Sequence, residues 1–178
     1  MSDSYDFRNV IHFTAGAQGR PGQRVFFLQV GDEGGHISVR LEKQQVQALA
    51  QFLRSVLDDL PAPPGVDDIK PVPLLEPTVP EWVVGQIAVG VAEADAEVVL
   101  VVDELIVDDE DDDDVEASEV DLMEDPPGGA GRIRAHIKVE QALEFVTTSD
   151  DLMSKGRPPC RLCGQPVDPS GHACPRLN

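Results

Sequence analysis

The stretch His36-Ile37-Ser38-Val39-Arg40-Leu41-Glu42, followed directly by Lys43-Gln44-Gln45-Val46-Gln47-Ala48-Leu49-Ala50, decides the fold class of this chain. In its first part apolar and polar residues alternate, which predicts a β-strand with one face in the core and the other in water. In its second part apolar residues recur every three or four positions, which predicts an amphipathic helix from about Lys43 to Leu60. The stretch therefore indicates a domain that mixes α and β structure.

A second strand and helix of the same kind occur towards the other end of the chain. Arg132-Ile133-Arg134-Ala135-His136-Ile137-Lys138 alternates like the first strand, and a helix is predicted from about Val139 to Lys155. Two further strands are predicted before each pair, at Asn9 to Ala15, Gln23 to Val30, Trp82 to Ala92 and Glu97 to Val107. The two halves suggest an internal βββα duplication. The predicted fold is α+β, with a largely antiparallel sheet, two amphipathic helices and a C-terminal zinc hairpin.

The segments between these elements suggest how the chain is organised. Glycines and a proline in 16–22 predict a loop, and the proline-rich stretch 61–80 predicts a stiff connector that carries the chain across the body. Val98-Val99-Leu100-Val101-Val102 is apolar on both faces, so its strand is expected inside the sheet, and Trp82 is expected to fill the edge of the core. We predict a body at 1–156 and a metal-binding tail at 157–178.

The net charge of −19 is concentrated in one place. Fourteen acidic residues and no basic one lie between Asp103 and Asp125. Such a block stays hydrated, and we expect a flexible acidic insertion at about 108–131. The spacing of an EF-hand calcium loop is absent from it. No apolar run approaches the length of a membrane span, and three cysteines fit a reducing compartment, so a cytoplasmic protein is expected.

The C-terminal motif carries the clearest chemistry. Cys160 and Cys163 are separated by two residues, as in a turn that binds one metal ion through two thiolates. His172 and Cys174 lie two positions apart, so in an extended segment both side chains point to the same face. This spacing predicts a structural zinc ion bound by Cys160, Cys163, His172 and Cys174. A redox Cys-x-x-C pair, a catalytic zinc and free cysteines are the alternatives. Four ligands leave no open position for catalysis, and the pair lies outside a βαβ context.

A basic stripe is the second candidate site. Alternation places Arg132, Arg134, His136 and Lys138 on one face of their strand, and Arg40 on the polar face of the matching strand. These five residues are candidates for anion binding. The alternative is cross-strand pairing with acidic neighbours such as Asp103 or Glu104.

Several segments together resemble an uncharacterised, mainly actinobacterial domain-of-unknown-function family with a C-terminal CxxC...HxC motif. They are Val25 to Gln29, Leu41 to Val46, Glu81 to Gly85, Arg157 to Gly164 and Gly171 to Arg176, so the resemblance covers nearly the whole chain. It implies a bacterial, cytosolic protein with a metal-binding tail, and it carries no catalytic residues.

Three functions are consistent with these features. The first is a non-catalytic binding or adaptor module whose zinc hairpin meets a protein partner. The second is a nucleic-acid-binding protein that uses the zinc tail and the basic strand face. The third is an enzyme acting on an anionic substrate, although His12, His36 and His136 lie in strands without a recognisable catalytic motif.

Overall fold

The computed structural model describes residues 2–59, 69–92, 97–106, 129–167 and 171–176. Its elements, in chain order, are β1 (Tyr5–Phe7), β2 (His12–Gln18), β3 (Val25–Asp32), β4 (Gly35–Leu41), α1 (Lys43–Asp58), β5 (Pro80–Ala92), β6 (Glu97–Glu104), β7 (Arg132–Lys138) and α2 (Val139–Ser154). Most of the predicted acidic insertion, its residues 108–128, lies outside the described residues.

The strands form one seven-stranded sheet in the order β1-β7-β6-β5-β4-β3-β2. Four neighbouring pairs are antiparallel, whereas β4–β5 and β1–β7 are parallel. β2, β3 and β4 precede α1, and β5, β6 and β7 precede α2, so the βββα unit occurs twice. The predicted α+β fold with a largely antiparallel sheet is confirmed.

The sheet must be strongly curved. β1 and β2 lie at its opposite edges, yet only the residues 8–11 separate them in the chain. Five Cα steps reach at most about 18 Å, whereas six strand spacings in a flat sheet would need about 29 Å. β1 also contacts β3 near the other edge. The two edges therefore approach each other, and the sheet wraps around the core.

Both helices pack on the inner face of this curved sheet. α1 contacts β3, β5 and α2, while α2 contacts β2, β6 and β7. The rings of Phe13 and Phe145 stack with centroids 4.6 Å apart, and Arg54 forms an ion pair with Asp150 between the helices. The core is largely aliphatic; its fully buried members include Leu28, Val30, Val39, Val46, Val98, Val102, Ile133 and Ile137. The predicted burial of Trp82 is also confirmed.

Two glutamines occupy equivalent positions in the two βββα units. Gln45 Oε1 accepts a hydrogen bond from the N–H of Glu42, and Gln45 Nε2 donates to Val84 O at 3.2 Å. Gln141 Oε1 accepts from the N–H of Lys138, and its Nε2 donates to Val10 O at 2.7 Å. Each glutamine therefore caps its helix and also holds the backbone of the other βββα unit, at Val84 within β5 or at Val10 just before β2.

The described part of the connector after α1, from residue 69 onward, lies on the outer face of the sheet. The first part of the predicted connector lies outside the described residues. Thr14 Oγ1 donates to Val72 O, and the buried amide of Gln29 exchanges two hydrogen bonds of 2.8 Å with the backbone of Leu75. Leu74 lies directly over Gly16, where a Cβ atom would be 2.3 Å from Leu74 Cγ. These contacts hold the connector against the sheet as far as Pro80, where β5 begins.

Three local predictions were wrong. Strand β1 was missed because Tyr5-Asp6-Phe7 is too short to show a periodic pattern. Residues 16–18 belong to β2 rather than to a loop, since Gly16 pairs with Phe27 and leaves room for Leu74. The strand expected to reach Val107 ends at Glu104. The expectation for β6 was correct: it lies between β7 and β5, and Val101 is buried on its outer face.

Candidate metal centre

The Cys-x-x-C pair lies in a hydrogen-bonded turn. The N–H of Cys160 donates to Gln165 O at 2.7 Å, and the N–H of Gly164 donates to Cys160 O at 2.9 Å. Gly164 has a φ of 74°, a left-handed conformation that glycine adopts without a steric penalty. A further bond from Val167 N to Pro158 O closes the base of the hairpin. The local sequence thus bends the chain so that both cysteine side chains point to the same place.

The structure brings all four predicted ligands together. One donor atom from each of Cys160, Cys163, His172 and Cys174 lies within 4.8 Å of every other. The sulfurs of Cys160 and Cys174 are 3.9 Å apart, and Cys163 Sγ is 3.3 Å from His172 Nε2. Two chain segments, before and after the residues 168–170, therefore supply the donors to one point.

These separations fit a tetrahedral ion. Metal–ligand distances of about 2.3 Å for sulfur and about 2.0 to 2.1 Å for nitrogen imply ligand separations of about 3.8 Å for two sulfurs and about 3.6 Å for sulfur and nitrogen. The measured separations of 3.9 Å and 3.3 Å are close to both values. These four residues could bind one metal ion.

The electrostatics of the turn also favour a cation. The backbone N–H groups of Cys163 and Leu162 point at Cys160 Sγ and lower the pKa of that thiol, because they stabilise the thiolate. At Cys163 the N–H of Gln165 acts in the same direction, but desolvation and the neighbouring sulfurs of Cys160 and Cys174 together raise the pKa. Several thiolates at one point repel each other unless a cation lies between them.

Arg24 holds the end of α2, just before the tail begins. This residue, at the entry to β3, donates from Nη2 to Lys155 O at 2.5 Å and from Nη1 to Leu152 O at 3.4 Å. These carbonyls belong to the last turn of α2, where the helix has no internal donors for them and where its dipole favours a positive charge. Sequence reasoning missed this role, because Arg24 and the end of α2 are far apart in the chain and share no motif.

The candidate anion face is partly neutralised by acidic partners. Arg132 is buried and forms a two-pronged ion pair with Asp103 on β6, with distances of 2.6 Å and 2.8 Å. His136 Nδ1 lies 3.3 Å from Glu97 Oε2 across the same pair of strands. The first of these pairings is the cross-strand alternative that the sequence suggested.

Of the other three candidates for anion binding, Arg40 lies apart from Arg134 and Lys138. Arg40 is exposed on β4, whereas Arg134 and Lys138 lie on β7, and β5 and β6 run between the two strands. Three strand spacings correspond to about 14 Å along the sheet. The structure therefore keeps Arg40 away from the β7 stripe, although all five candidates belong to the outer face.

None of the helices among the described residues is long and apolar enough to cross a membrane.

The comparisons place this chain in a family. No curated protein and no solved structure matches the sequence. One family model, described as "Protein of unknown function (DUF3090)", matches residues 5–174, a range that includes β1, both βββα units and all four candidate metal ligands. The chain thus belongs to the DUF3090 family of proteins of unknown function.

Proposed function

We propose that this protein binds one structural zinc ion and acts as a non-catalytic binding or adaptor module, with the zinc-bound tail as the part that meets a protein partner. The observation that carries the proposal is the convergence of Cys160, Cys163, His172 and Cys174 within 4.8 Å of one another. Four protein donors fill a tetrahedral sphere and leave no position for substrate or water, as in structural zinc sites.

The donor set supports zinc rather than a harder cation. Thiolates and imidazole are the ligands that zinc takes in tetrahedral sites, whereas magnesium and calcium take oxygen ligands. The tail buries little apolar surface of its own, since Cys174 is the only buried residue in its described part. Metal binding would therefore supply most of the free energy that orders it.

The outer surface of the turn supports a role in binding. Arg161 and Leu162 lie between the two cysteines, and both are exposed, with Leu162 at 49%. A rigid turn that presents an arginine beside an aliphatic side chain offers a charged and an apolar contact at little entropic cost. A reducing cytoplasm is the compartment in which three cysteines would remain available to a metal.

Metal content is the first test. Protein purified without a metal-affinity tag should contain about one zinc per chain by native mass spectrometry and elemental analysis. His172→Asn should lose the zinc, whereas His36→Asn, a matched change at a histidine outside the cluster, should keep it. Equal zinc in both variants, or no zinc in the wild type, would refute the metal assignment.

Partner recovery is the second test. We expect Arg161→Ala combined with Leu162→Ala to retain zinc but to recover fewer partners than the wild type in a quantitative pull-down from native cells. A chain truncated before Arg157 should lose the same partners. Identical recovery by all three proteins would show that the tail has no role in binding, while partners that disappear after nuclease treatment would point to nucleic acid instead.

A further inference from the structure

A small basic pocket lies where the tail leaves the body. Its walls come from the segment between β2 and β3, the first turn of α1, the end of α2 and the start of the tail; they include Pro21, Gly22, Arg24, Lys43, Gly156 and Arg157. The cavity has a volume of about 170 Å³. None of its described lining residues is acidic, so three basic side chains face one space without a carboxylate in its wall.

A pocket wall with three basic residues and no acidic one contrasts with the acidic composition of the protein. The chain has 33 acidic residues and only 14 lysines and arginines. Four other described basic residues pair with carboxylates, namely Arg8 with Asp6, Arg54 with Asp150, Arg132 with Asp103 and Lys155 with Asp151. At the pocket, Arg24 bonds the carbonyls of Leu152 and Lys155 at the end of α2, and none of the described lining residues carries a carboxylate.

The first turn of α1 favours the same sign of ligand, whereas the negative end of the α2 dipole is offset by Arg24. Lys43 is the first residue of α1, and the Glu42 side chain accepts a hydrogen bond from the third residue of the same helix. A Cβ atom on Gly156 would lie 3.9 Å from Lys43 Nζ, so the ammonium group lies beside the first residues of the tail. On α2, the carboxylate of Asp151 is bonded to Lys155 Nζ at 2.5 Å.

We propose that this pocket binds a small oxyanion, with phosphate or the terminal phosphoryl group of a small metabolite as the ligand class. Lys43 and Arg157 supply the charge, and Arg24 supplies charge while it caps α2. A cavity of about 170 Å³ is smaller than the roughly 300 to 1,000 Å³ that drug-sized ligands occupy, so one phosphoryl group fits better than a nucleoside. The acidic stretch from Asp103 to Asp125 would repel a long polyanion but affects a single small anion much less.

The first residue of the tail also contributes to the wall of the pocket. Arg157 lines it only three residues before Cys160, the first of the candidate metal ligands. The oxyanion site is nevertheless separate from the metal site, because none of the four candidate ligands lines it. The two proposals can therefore fail independently.

The test is a titration of the full chain, as purified, with inorganic phosphate at constant ionic strength, with chloride as the balancing anion. In 15N–1H NMR spectra we expect saturable shifts of the Gly22 and Gly156 amides. Lys43→Gln and Arg157→Gln should each weaken phosphate binding about tenfold or more, because each removes a charged hydrogen-bond donor. Arg157→Lys should retain binding, and both glutamine variants should retain zinc.

Arg161→Gln is the matched control, since it removes the same charge from the same tail outside the pocket. Phosphate affinity should be unchanged in this variant. The proposal is overturned if phosphate produces no saturable shifts beyond those of chloride, if all three glutamine variants lose affinity equally, or if a single-stranded oligonucleotide binds the Lys43 surface more tightly than phosphate does.

Discussion

At the scale of single residues, the side-chain amide of Gln29 forms hydrogen bonds of the kind that a backbone peptide group forms elsewhere in a sheet. Its side chain is fully buried, and its amide accepts from Leu75 N and donates to Leu75 O and to Ser38 Oγ. It thereby replaces the β-ladder partner that the connector does not have. A buried polar side chain of this kind is stable only while every partner remains in place.

Gln29→Leu should therefore lower the free energy of unfolding by about 2 to 4 kcal/mol, because it leaves the N–H of Leu75 without its acceptor, Gln29 Oε1, and the Leu75 carbonyl with Thr78 Oγ1 as its remaining donor. Urea denaturation measures this difference. Gln18→Leu, on the exposed end of β2, is the control and should change stability by less than about 0.5 kcal/mol. Similar values for the two variants would mean that the connector is held by its apolar contacts alone.

His12 gives the fold a defined dependence on pH. Burial lowers its pKa below the ordinary value of 6.5; the bond to Gln29 opposes this shift, and repulsion from His36 adds to it. The folded state thus binds this proton less readily than the unfolded state does. The stability from neutral His12 is fully present above about pH 6.5 and is lost as the pH falls through the lowered folded value.

We expect the wild type to lose more stability than His12→Gln between pH 7.5 and pH 5.5. Glutamine keeps a donor for Gln29 but does not titrate, and comparison at each pH cancels the effect of acid on the cysteine cluster. Urea unfolding curves for the two proteins at both pH values provide the measurement. Parallel loss in both would assign the pH dependence to other groups.

At the scale of elements, the two helices are tied to the sheet by the same device. Gln45 and Gln141 each cap a helix and bond the backbone in, or just before, the first strand of the other βββα unit. Since the roles coincide although the helix sequences differ, the repetition that the sequence suggested extends to individual contacts.

Gln141→Met should therefore cost about 1 to 2 kcal/mol, because it removes a cap and leaves Val10 O without its donor. Gln45→Met should cost a similar amount through Val84 O. Chemical denaturation of these variants and of Gln47→Met, an exposed position in α1, would measure the effect. If Gln47→Met were equally destabilising, helix propensity rather than the bond to the strand would explain the loss.

The elements that could be predicted from sequence are those whose signal is local. The alternation around Val39 and Ile137 and the three-to-four spacing around Leu49 gave strands and helices with nearly correct ends. The convergence of the four candidate metal ligands could be predicted because the spacing of cysteine and histidine residues in the sequence is typical of metal-binding turns. Strand β1 and the Gly16–Leu74 contact could not, since each depends on a segment distant in sequence whose position no local pattern records.

At the scale of the whole molecule, the proposed zinc ion should order the tail without being needed for the body. The core is built from both βββα units, and it contains none of the four candidate ligands. Arg24 holds the end of α2, from which the tail leaves the body.

Removal of the metal with a chelator should therefore release the tail and leave the sheet intact. Hydrogen exchange should become fast at the amides around Cys160 and Gly164, which are hydrogen-bonded in the turn, while the amides of Val98 to Val102 stay protected. Mass spectrometry after a series of exchange times resolves the two regions. Loss of protection in β6 as well would show that the metal supports the whole fold.

The parallel pairing of β1 with β7 has a consequence for synthesis on the ribosome. Residues 5–7 are made before the rest of the sheet, but their partner strand begins at residue 132, which is 125 positions after Phe7. At about 5 to 20 residues per second, this segment waits roughly 6 to 25 s for its partner strand to be made. During that interval one edge of the sheet cannot be completed, so the nascent chain remains accessible to chaperones.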